Sequence, residues 1–584
     1  MNPIEFYTKE ERKINGVFYT PLYIAEYLAK KVLQYNSNRN IASIIDPACG
    51  DSVLLRSLAN EFLIRESSNL PQILGIDKDI NAIASSTSKF STHPLNNFDI
   101  NFIQTDSLFP VKGKTSNEGW SDIQKEFKCK KGFDIIVSNP PWGAELIDYD
   151  LLKLAFNFTL AKGQFDIFDL FTEVILNNLS ENGIYGLILP DSVFCHEHAK
   201  FRYLLAKNTT IHLISRLGEK IFPDISRACV IIVGEKTKPK DNHQVDCFRL
   251  SSNYKKQIIE SKLSLEAVEK RLLHKVLQNR FYENDNCLFD IDLKKVDKPT
   301  IDKIHINSTP LKNYVTNTRG AEISKKGHVC QCSNCQKWLP YPKSKQPKCS
   351  NCHSEIKIET VLKEKIVLSH NGVGNIKLKV GEDLFRFTSV SKSWINTLKE
   401  GINYKDLSIY KGDKILVRKT GIGITASIDY ENSITNQVVY ILKLKTAYEQ
   451  KLSLEFVLAV LNSRIMTYYL IKKYGENEWK SHPYLTQTML VNLPFPTIDS
   501  NLPESKKLID QVTEILRNEV PQSKGKNISK NNDIFIERVV AHFFKLNETD
   551  YKAIFETLNS AEQLIPIRRL MNCSIKDIFD TNGI

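Results

Sequence analysis

The sequence predicts an α/β fold with a mainly parallel sheet over residues 1–240, and three observations support that prediction. Short β-branched apolar runs alternate there with stretches of helical periodicity, which favours parallel strands joined by helices. The chain has 584 residues, of which 42% are hydrophobic and 25% charged, as in globular proteins of several domains. No apolar run reaches the ~20 residues of a membrane span. The predicted strands are 41–45, 73–76, 101–104, 133–137, 184–189 and 228–233.

Composition narrows the class of protein further. Lys and Arg total 79 against 67 Asp and Glu, a net charge of +12, which favours a polyanionic partner. The 12 cysteines are too few for a disulfide framework. The first residues lack the apolar core of a signal peptide. We therefore expect a cytoplasmic protein without a membrane partner.

The first predicted element is a helix that opens at Thr20-Pro21. Thr is favoured at the N-cap and Pro at the first helical position. Leu22, Ala25 and Leu28 then form one apolar stripe. These residues predict an amphipathic helix before the first strand.

The first three strands each end in an acid. The first leads into Asp46-Pro47-Ala48-Cys49-Gly50, where small residues let the backbone approach a ligand and the acid can accept from an ammonium or hydroxyl group. Asp77 ends the second strand, where nucleotide-binding folds bond a ribose diol. Asp106 follows the third and can accept from an adenine amine. Since no Gly-x-Gly-x-x-Gly is present at the first turn, we expect a nucleoside-like cofactor without a pyrophosphate.

The fourth strand ends in Ser138-Asn139-Pro140-Pro141-Trp142, the most specific pattern in the chain. The prolines fix φ and remove N–H donors. The Asn139 side-chain oxygen and the Pro140 carbonyl can then accept from one amino group. The indole of Trp142 can stack on a planar base.

Residues 16–235 resemble gamma-class S-adenosylmethionine-dependent DNA adenine-N6 methyltransferases. Two departures are Ser52, where many members have a second Gly, and Trp142, where Tyr is commonest. The matching segments are Thr20-Pro21, Asp46-Pro47-Ala48-Cys49-Gly50, Asp77, Asp106, the N-P-P-[YFW] motif at 139–142, 164–171 and 217–223.

This resemblance implies a Rossmann-like methyltransferase domain over 1–245. Asn139 and Pro140 would accept the two hydrogens of the target amine, and Trp142 and Phe222 would hold the flipped base from its two faces. S-adenosylmethionine is the implied cofactor. Its implied contacts are Thr20, Asp46, Ala48, Gly50, Asp77, Asp106 and Pro141.

The rest of the chain is predicted to hold a connector (246–309), a mixed α+β domain (310–500), and a mobile linker followed by a helical segment (501–584). The 310–500 region resembles the target-recognition domain of TaqI-like and Eco57I-like DNA methyltransferases. In the last segment, apolar residues recur at helical spacing. They are Ile534, Ile536, Val539, Val540, Phe543 and Phe544.

A cysteine cluster over 330–352 predicts a zinc ribbon inserted in that domain. Cys332, Cys335, Cys349 and Cys352 have the spacing of a four-thiolate structural Zn²⁺ site, and Cys330 is a rival ligand for Cys332. Lysines near the knuckles and on the basic strand 414–419 favour contacts with DNA phosphates, the alternative being a purely structural ribbon. The lysines are Lys325, Lys326, Lys337, Lys343, Lys345 and Lys348. Cys195-His196-Glu197-His198 is interpreted as a polar stretch and not as a metal site.

We therefore expect a sequence-specific adenine-N6 methyltransferase acting on double-stranded DNA, as the modification component of a restriction-modification or phage-defence system. It would act as a monomer in a bacterial or archaeal nucleoid, with a separate restriction endonuclease as an optional partner and no cleavage activity of its own. Two alternatives stay open: transfer to another amine (cytosine N4, RNA adenine or protein glutamine), and an inactive DNA-binding specificity protein.

Overall fold

The computed structural model describes most of the chain and divides it into two compact units. The first is Met1–Lys295 with Lys473–Gly475, and the second is Val296–Lys472 with Glu476–Ile584. The described residues are 20–36, 40–67, 69–143, 149–222, 227–323, 327–342, 347–372, 374–475, 485–499, 502–523, 525–561 and 563–580.

The first unit is built on one nine-stranded sheet with the order β3-β2-β1-β4-β5-β7-β6-β8-β9. Strands β1 to β5 pair in parallel, while β7 runs antiparallel to both β5 and β6. Strand β8 is parallel to β6, and β9 is antiparallel to β8. The strands are β1 Ser43–Asp46, β2 Gln72–Asp77, β3 Ile100–Gln104, β4 Phe133–Ser138, β5 Leu179–Pro190, β6 Thr210–Gly218, β7 Cys229–Glu235, β8 Gln244–Arg249 and β9 His274–Leu277.

Helices connect these strands and cover both faces of the sheet. Successive side chains of a strand point to opposite faces, so Ile44 and Ile45 of β1 enter two different hydrophobic clusters. The helices are α1 Leu22–Tyr35, α2 Val53–Ile64, α3 Ile80–Phe90, α4 Ser116–Glu126, α5 Leu151–Asn157, α6 Ile167–Asn178, α7 Ala199–Asn208, α8 Ser252–Ile259, α9 Leu265–Leu272 and α10 Arg280–Glu283.

The predicted α/β class and its six strands are confirmed, whereas three strands were not predicted. Strand β6 carries His212, Ser215 and Arg216 between its apolar residues, which hides its apolar periodicity. Strands β8 and β9 extend the sheet into the segment predicted as a connector. The units accordingly divide between Lys295 and Val296, later than the predicted boundary at residue 245.

The second unit contains small sheets and helices, in agreement with the predicted mixed α+β architecture. Its sheets have the orders β10-β22, β11-β21-β18-β19, β13-β12-β14 and β15-β17-β16-β20. The strands are β10 Ser308–Pro310, β11 Val315–Arg319, β12 His328–Gln331, β13 Trp338–Pro340, β14 Leu362–Lys365, β15 Val367–Leu368, β16 Asn375–Lys379, β17 Ser393–Asn396, β18 Lys414–Arg418, β19 Ala426–Asp429, β20 Ile434–Thr435, β21 Val439–Leu444 and β22 Pro494–Pro496. The helices from here to the C-terminus are α11 Lys298–Ile306, α12 Leu454–Leu461, α13 Arg464–Tyr474, α14 Gln487–Val491, α15 Pro503–Ser523, α16 Lys530–Phe543, α17 Glu548–Ser560, α18 Ile565–Arg568 and α19 Ile575–Phe579.

The linker predicted after residue 500 is wrong, because most of it forms helix α15. Leu508, Val512 and Leu516 lie one helical turn apart and are buried along one face. Pro503 is the first residue of α15 and Pro521 lies in its last turn, so neither interrupts the helix centre. The predicted C-terminal helix is confirmed as α16.

No single helix in the described part of the chain is long and apolar enough to cross a membrane. Helices α12 and α13 pass that test of length and composition only as a pair, with a bend of 52° between them.

Candidate active site and metal centre

The turn after β1 is organised around Asp46. Its carboxylate is 1% exposed and accepts a hydrogen bond from the Ala48 N–H at 3.0 Å. Burial raises the pKa of Asp46 to about 7. At Gly50 the backbone has a φ of +52°, and no heavy atom lies within 4 Å of where a Cβ would be. The turn therefore combines a buried acid with open space beside the backbone.

The acids after β2 and β3 stabilise neighbouring backbone at the same edge of the sheet. Asp77 accepts from the Gly50 N–H at 2.8 Å and from the Asp79 N–H at 2.9 Å. Burial raises the pKa of Asp77 as well. Asp106 accepts from the Leu108 N–H at 3.0 Å, so each acid orders the loop that follows its strand.

Two residues that were not predicted surround Asp106. The Tyr149 hydroxyl donates to its Oδ2 at 3.0 Å, and the Lys78 ammonium lies 3.6 Å from the same oxygen. Lys78 could have been found from the sequence, because it directly follows Asp77 at the end of a predicted strand. Tyr149 carried none, because it belongs to no strand end or motif.

Asn139 follows β4 directly and is oriented by Thr20. Its Nδ2 donates to the Thr20 Oγ1 at 3.0 Å. This bond restricts the rotation of the Asn139 side chain and places its Nδ2 beside Thr20. The prediction that Thr20 caps the first helix is wrong: α1 begins at Leu22, its N-cap is Pro21, and the Thr20 hydroxyl receives the Asn139 amide instead.

The motif residues Pro140, Pro141 and Trp142 form the next turn, and the indole contacts Phe222. The ring centroids of Trp142 and Phe222 are 5.2 Å apart, with the rings edge to face. Trp142 is 0% exposed and Phe222 1% exposed. The structure therefore brings both predicted base-stacking residues together, in direct contact with each other.

The four cysteines of the predicted metal site converge in the second unit. Their sulfur atoms all lie within 4.8 Å of one another, with 3.7 Å between Cys332 and Cys352 and 3.6 Å between Cys335 and Cys349. Tetrahedral Zn–S bonds of ~2.3 Å place sulfurs roughly 3.8 Å apart, so the geometry fits zinc. Cys330 lies in β12 and is not a member of the cluster.

Within the described part of the chain, this is the sole cluster of metal-ligating side chains. His198 of the rejected Cys195–His198 stretch is buried, and its Nδ1 lies 2.9 Å from Asp169. That contact explains the polar stretch as part of the packing of α6.

The lysines predicted near the cysteine knuckles separate into two groups. Lys337 and Lys348 are exposed beside the cysteine cluster, while Lys325, Lys326, Lys343 and Lys345 lie outside the described residues. For Lys414 the prediction is wrong: it is 0% exposed, and its ammonium forms an ion pair with Asp429 at 2.5 Å. Strand β18 is a core strand, which the basic residues in its sequence obscured.

Two protein families match this chain. The N-6 DNA Methylase family matches residues 3–314, and the TaqI-like C-terminal specificity domain matches residues 377–495. The first match covers more than half of the chain.

Curated relatives include modification enzymes. The type II methyltransferase M.BanIII of Aneurinibacillus aneurinilyticus is 26% identical over 223 residues, which are 36% of this chain and 37% of the relative. The type II methyltransferase M.VspI of Vibrio sp. (strain 343) is 24% identical over 302 residues, 51% of this chain and 61% of the relative. The chain thus spans less than two thirds of the length of these relatives.

Solved structures share the fold. The type IIL restriction-modification enzyme MmeI, solved in complex with DNA, has a TM-score of 0.57 and 13% identity, covering 96% of this chain and 80% of that one. A nuclease-deletion mutant of the type ISP restriction-modification enzyme LlaGI has a TM-score of 0.54 and 12% identity. The match covers 87% of this chain and 47% of that one. At these identities the likeness is one of architecture.

Proposed function

This chain belongs to the N-6 DNA methylase family, and from that premise we propose that it transfers a methyl group from S-adenosylmethionine to the N6 amine of an adenine in double-stranded DNA. The observation that carries the proposal is the bond between Thr20 and Asn139. It fixes an amide acceptor at the end of β4, on the edge of the sheet where Asp46 and Asp77 end β1 and β2.

The residues at that edge fit the cofactor. Asp46, buried and with a raised pKa, favours a cationic partner, because a positive charge restores the ionised carboxylate. The open space beside Gly50 leaves the backbone accessible to a ligand. Thr20, Ala48, Asp77, Asp106 and Pro141 complete the proposed cofactor contacts. When bound, S-adenosylmethionine supplies an electrophilic methyl group on a positively charged sulfur.

The protein's part in the reaction is to expose the lone pair of the target nitrogen. That lone pair is conjugated with the adenine ring and is poorly nucleophilic. The Asn139 Oδ1 and the Pro140 carbonyl accept the two N6 hydrogens and draw the nitrogen toward tetrahedral geometry. As the nitrogen gains the methyl group it becomes positive, and the face of Trp142 stabilises that charge by about 0.5–2 kcal/mol. The nitrogen then loses one of its two protons to water, leaving N6-methyladenine.

The target adenine has to leave the duplex to reach this site. We assign Trp142 and Phe222 to hold the extrahelical base, with stacking worth about 1–3 kcal/mol for each aromatic contact. We assign sequence reading to the specificity domain over 377–495, and a structural Zn²⁺ to Cys332, Cys335, Cys349 and Cys352.

The proposed setting is a restriction-modification or phage-defence system in the cytoplasm of a bacterium or archaeon, where the chain methylates nucleoid DNA as a monomer. A separate restriction endonuclease would then be its partner. The family match and the curated type II methyltransferases support this setting.

The test is methylation by the purified full chain. DNA incubated with S-adenosylmethionine should yield N6-methyladenine by mass spectrometry, and sequencing of the modified bases should give one recognition site. Asn139→Ala should bind the cofactor in calorimetry and methylate at least a hundredfold more slowly. The proposal fails if the wild-type chain binds cofactor yet leaves adenine unmodified across mixed-sequence DNA.

A further inference from the structure

The turn that contains Trp142 is held by two residues outside the catalytic motif. The N–H of Gly143 donates to Asp166 Oδ1 at 2.9 Å. The carbonyl of Trp142 accepts from Arg227 Nη1 at 2.8 Å. These two groups belong to the same peptide unit, whose C=O and N–H point in opposite directions because the peptide is planar and trans.

That single peptide is thus bound at both ends by charged side chains. Two hydrogen bonds on opposite edges set the orientation of the peptide plane, and the one from the Arg227 guanidinium is charge-assisted. Gly143 has a φ of +58°, and a Cβ there would lie 2.6 Å from Arg227 Nη1. The guanidinium therefore fills the space where a larger residue at 143 would have its side chain.

Asp166 is itself firmly anchored. Its Oδ1 also accepts from the Ile167 N–H at 2.7 Å, at the start of helix α6. Its backbone N–H donates to Asp169 at 2.9 Å, and Asp169 in turn contacts the buried His198. The orientation of the Trp142–Gly143 peptide is thereby tied to a core helix.

We propose that Asp166 and Arg227 are positioning residues for methyl transfer, which orient the Pro140 carbonyl and the Trp142 ring through the Trp142–Gly143 peptide. This inference rests on the proposed function. The Pro140 carbonyl is two peptide units before the Trp142–Gly143 peptide, and Pro141, which lies between them, has its φ fixed by the ring. A rotation of the Trp142–Gly143 peptide therefore shifts Trp142 directly and the Pro140 carbonyl through Pro141.

The acceptor chemistry of Asp166 provides the sharpest test. Both of its hydrogen bonds use Oδ1, so the side-chain oxygen of Asn can replace it. Asp166→Asn should keep kcat within about threefold of wild type, whereas Asp166→Leu should lower kcat about 10–100-fold, the loss expected when reacting groups move by up to an ångström. The KM for DNA and the calorimetric Kd for S-adenosylmethionine should stay within about twofold in both variants.

A second variant replaces Arg227, which does not belong to the hydrophobic core. Its side chain is exposed, so we expect Arg227→Met to fold as wild type does and to lower kcat about 5–20-fold through loss of the carbonyl contact. Asp150→Leu is the matched control, because Asp150 caps helix α5 through its own Oδ1. It should keep the wild-type kcat.

The outcomes separate the two proposals. A wild-type chain that binds cofactor but methylates no DNA contradicts the proposed function. If the wild-type chain methylates DNA and both Asp166→Leu and Arg227→Met have the wild-type kcat, only the positioning role of Asp166 and Arg227 is contradicted. If Asp166→Asn is as slow as Asp166→Leu, the charge of Asp166 accounts for the loss of kcat and the positioning role is contradicted. If Asp150→Leu loses as much kcat as Asp166→Leu, helix capping accounts for the loss, and the positioning role is contradicted as well.

Discussion

The indole ring of Trp142 and the phenyl ring of Phe222 meet edge to face, with their planes at 77° and their centroids 5.2 Å apart. A base held between two aromatic faces needs parallel rings separated by roughly twice the ~3.5–4.0 Å contact distance of carbon atoms. In the structure the two rings are closer together than this spacing, and their planes are nearly perpendicular instead of parallel. The two rings must therefore separate before they can hold a base between them, and the contact that they make with each other is lost.

The first prediction concerns Phe222→Ala. An edge-to-face pair is worth about 0.5–1.5 kcal/mol and a base–aromatic stack about 1–3 kcal/mol, so the loss of the stack should dominate. With 2-aminopurine at the target position, the bound DNA should fluoresce more strongly with this variant than with wild type, because the extrahelical base is less stacked. Phe222→Leu should behave similarly, since it restores volume without a ring. Equal emission from all three proteins would mean that Phe222 does not touch the base.

The strand-end residues of the site could be predicted because they depend on local pattern and one topological rule. Asp46, Asp77 and Asn139 each follow an apolar run, and parallel strands bring their carboxyl ends to one edge. The contact between Thr20 and Asn139 could not be predicted, since it joins residues far apart in sequence. Its geometry depends on how α1 packs against the sheet.

In the second unit, the basic composition of a strand led to a wrong prediction of DNA contact. Lys414 belongs to a strand whose first four residues are all buried, and its charge is neutralised by Asp429 from the adjacent strand β19. A single sequence gives no sign of that partner. Helix α15 was not predicted, because its sequence is largely polar and contains two prolines, although both prolines lie near the ends of the helix.

The second prediction is a pH dependence of cofactor binding. The pKa of Asp46 is raised to about 7 by burial, so below that pH the free protein carries a proton there. A cationic cofactor group favours the carboxylate and must displace this proton. Affinity for S-adenosylmethionine should fall about tenfold per pH unit below about pH 7 and level off above about pH 8. Calorimetry across this range checks it, with Asp46→Asn expected to bind weakly and without that pH dependence.

The third prediction concerns metal removal. Four thiolates at tetrahedral spacing bind Zn²⁺ tightly, and a metal-bound ribbon depends on it for folding. Mass spectrometry of the native protein should give one zinc per chain, and Cys349→Ser should lose it and become sensitive to proteolysis within 330–352. Cys330→Ala is the control and should keep the metal. A full complement of zinc in Cys349→Ser would exclude Cys349 as a ligand.

The fourth prediction concerns Lys348, which is exposed next to the cysteine cluster. If it contacts a DNA phosphate, Lys348→Gln should reduce the slope of log affinity against log salt by about 0.9. Lys348→Glu should weaken DNA binding further at low salt, while the Kd for the cofactor stays unchanged. Unchanged DNA affinity in both variants would identify the ribbon as a structural element alone.

The fifth prediction separates burial from DNA binding at Lys414. Asp429 is 0% exposed and is bound by both Lys414 and Lys379, at 2.5 and 2.6 Å. Lys414→Met removes one cation from this buried group, which should lower the free energy of unfolding by about 3 kcal/mol. The salt dependence of DNA binding should not change, because the lost charge never faces solvent.

Lys377→Met is the matched control for Lys414→Met. Lys377 pairs with Glu431 at the surface, where both side chains are 41% exposed, so its loss should cost less than about 1 kcal/mol. Urea titration of the full chain, followed by circular dichroism, measures both variants. If Lys414→Met unfolds with wild-type stability but loses DNA affinity with a reduced salt slope, Lys414 reaches the DNA and the buried pair does not persist in solution.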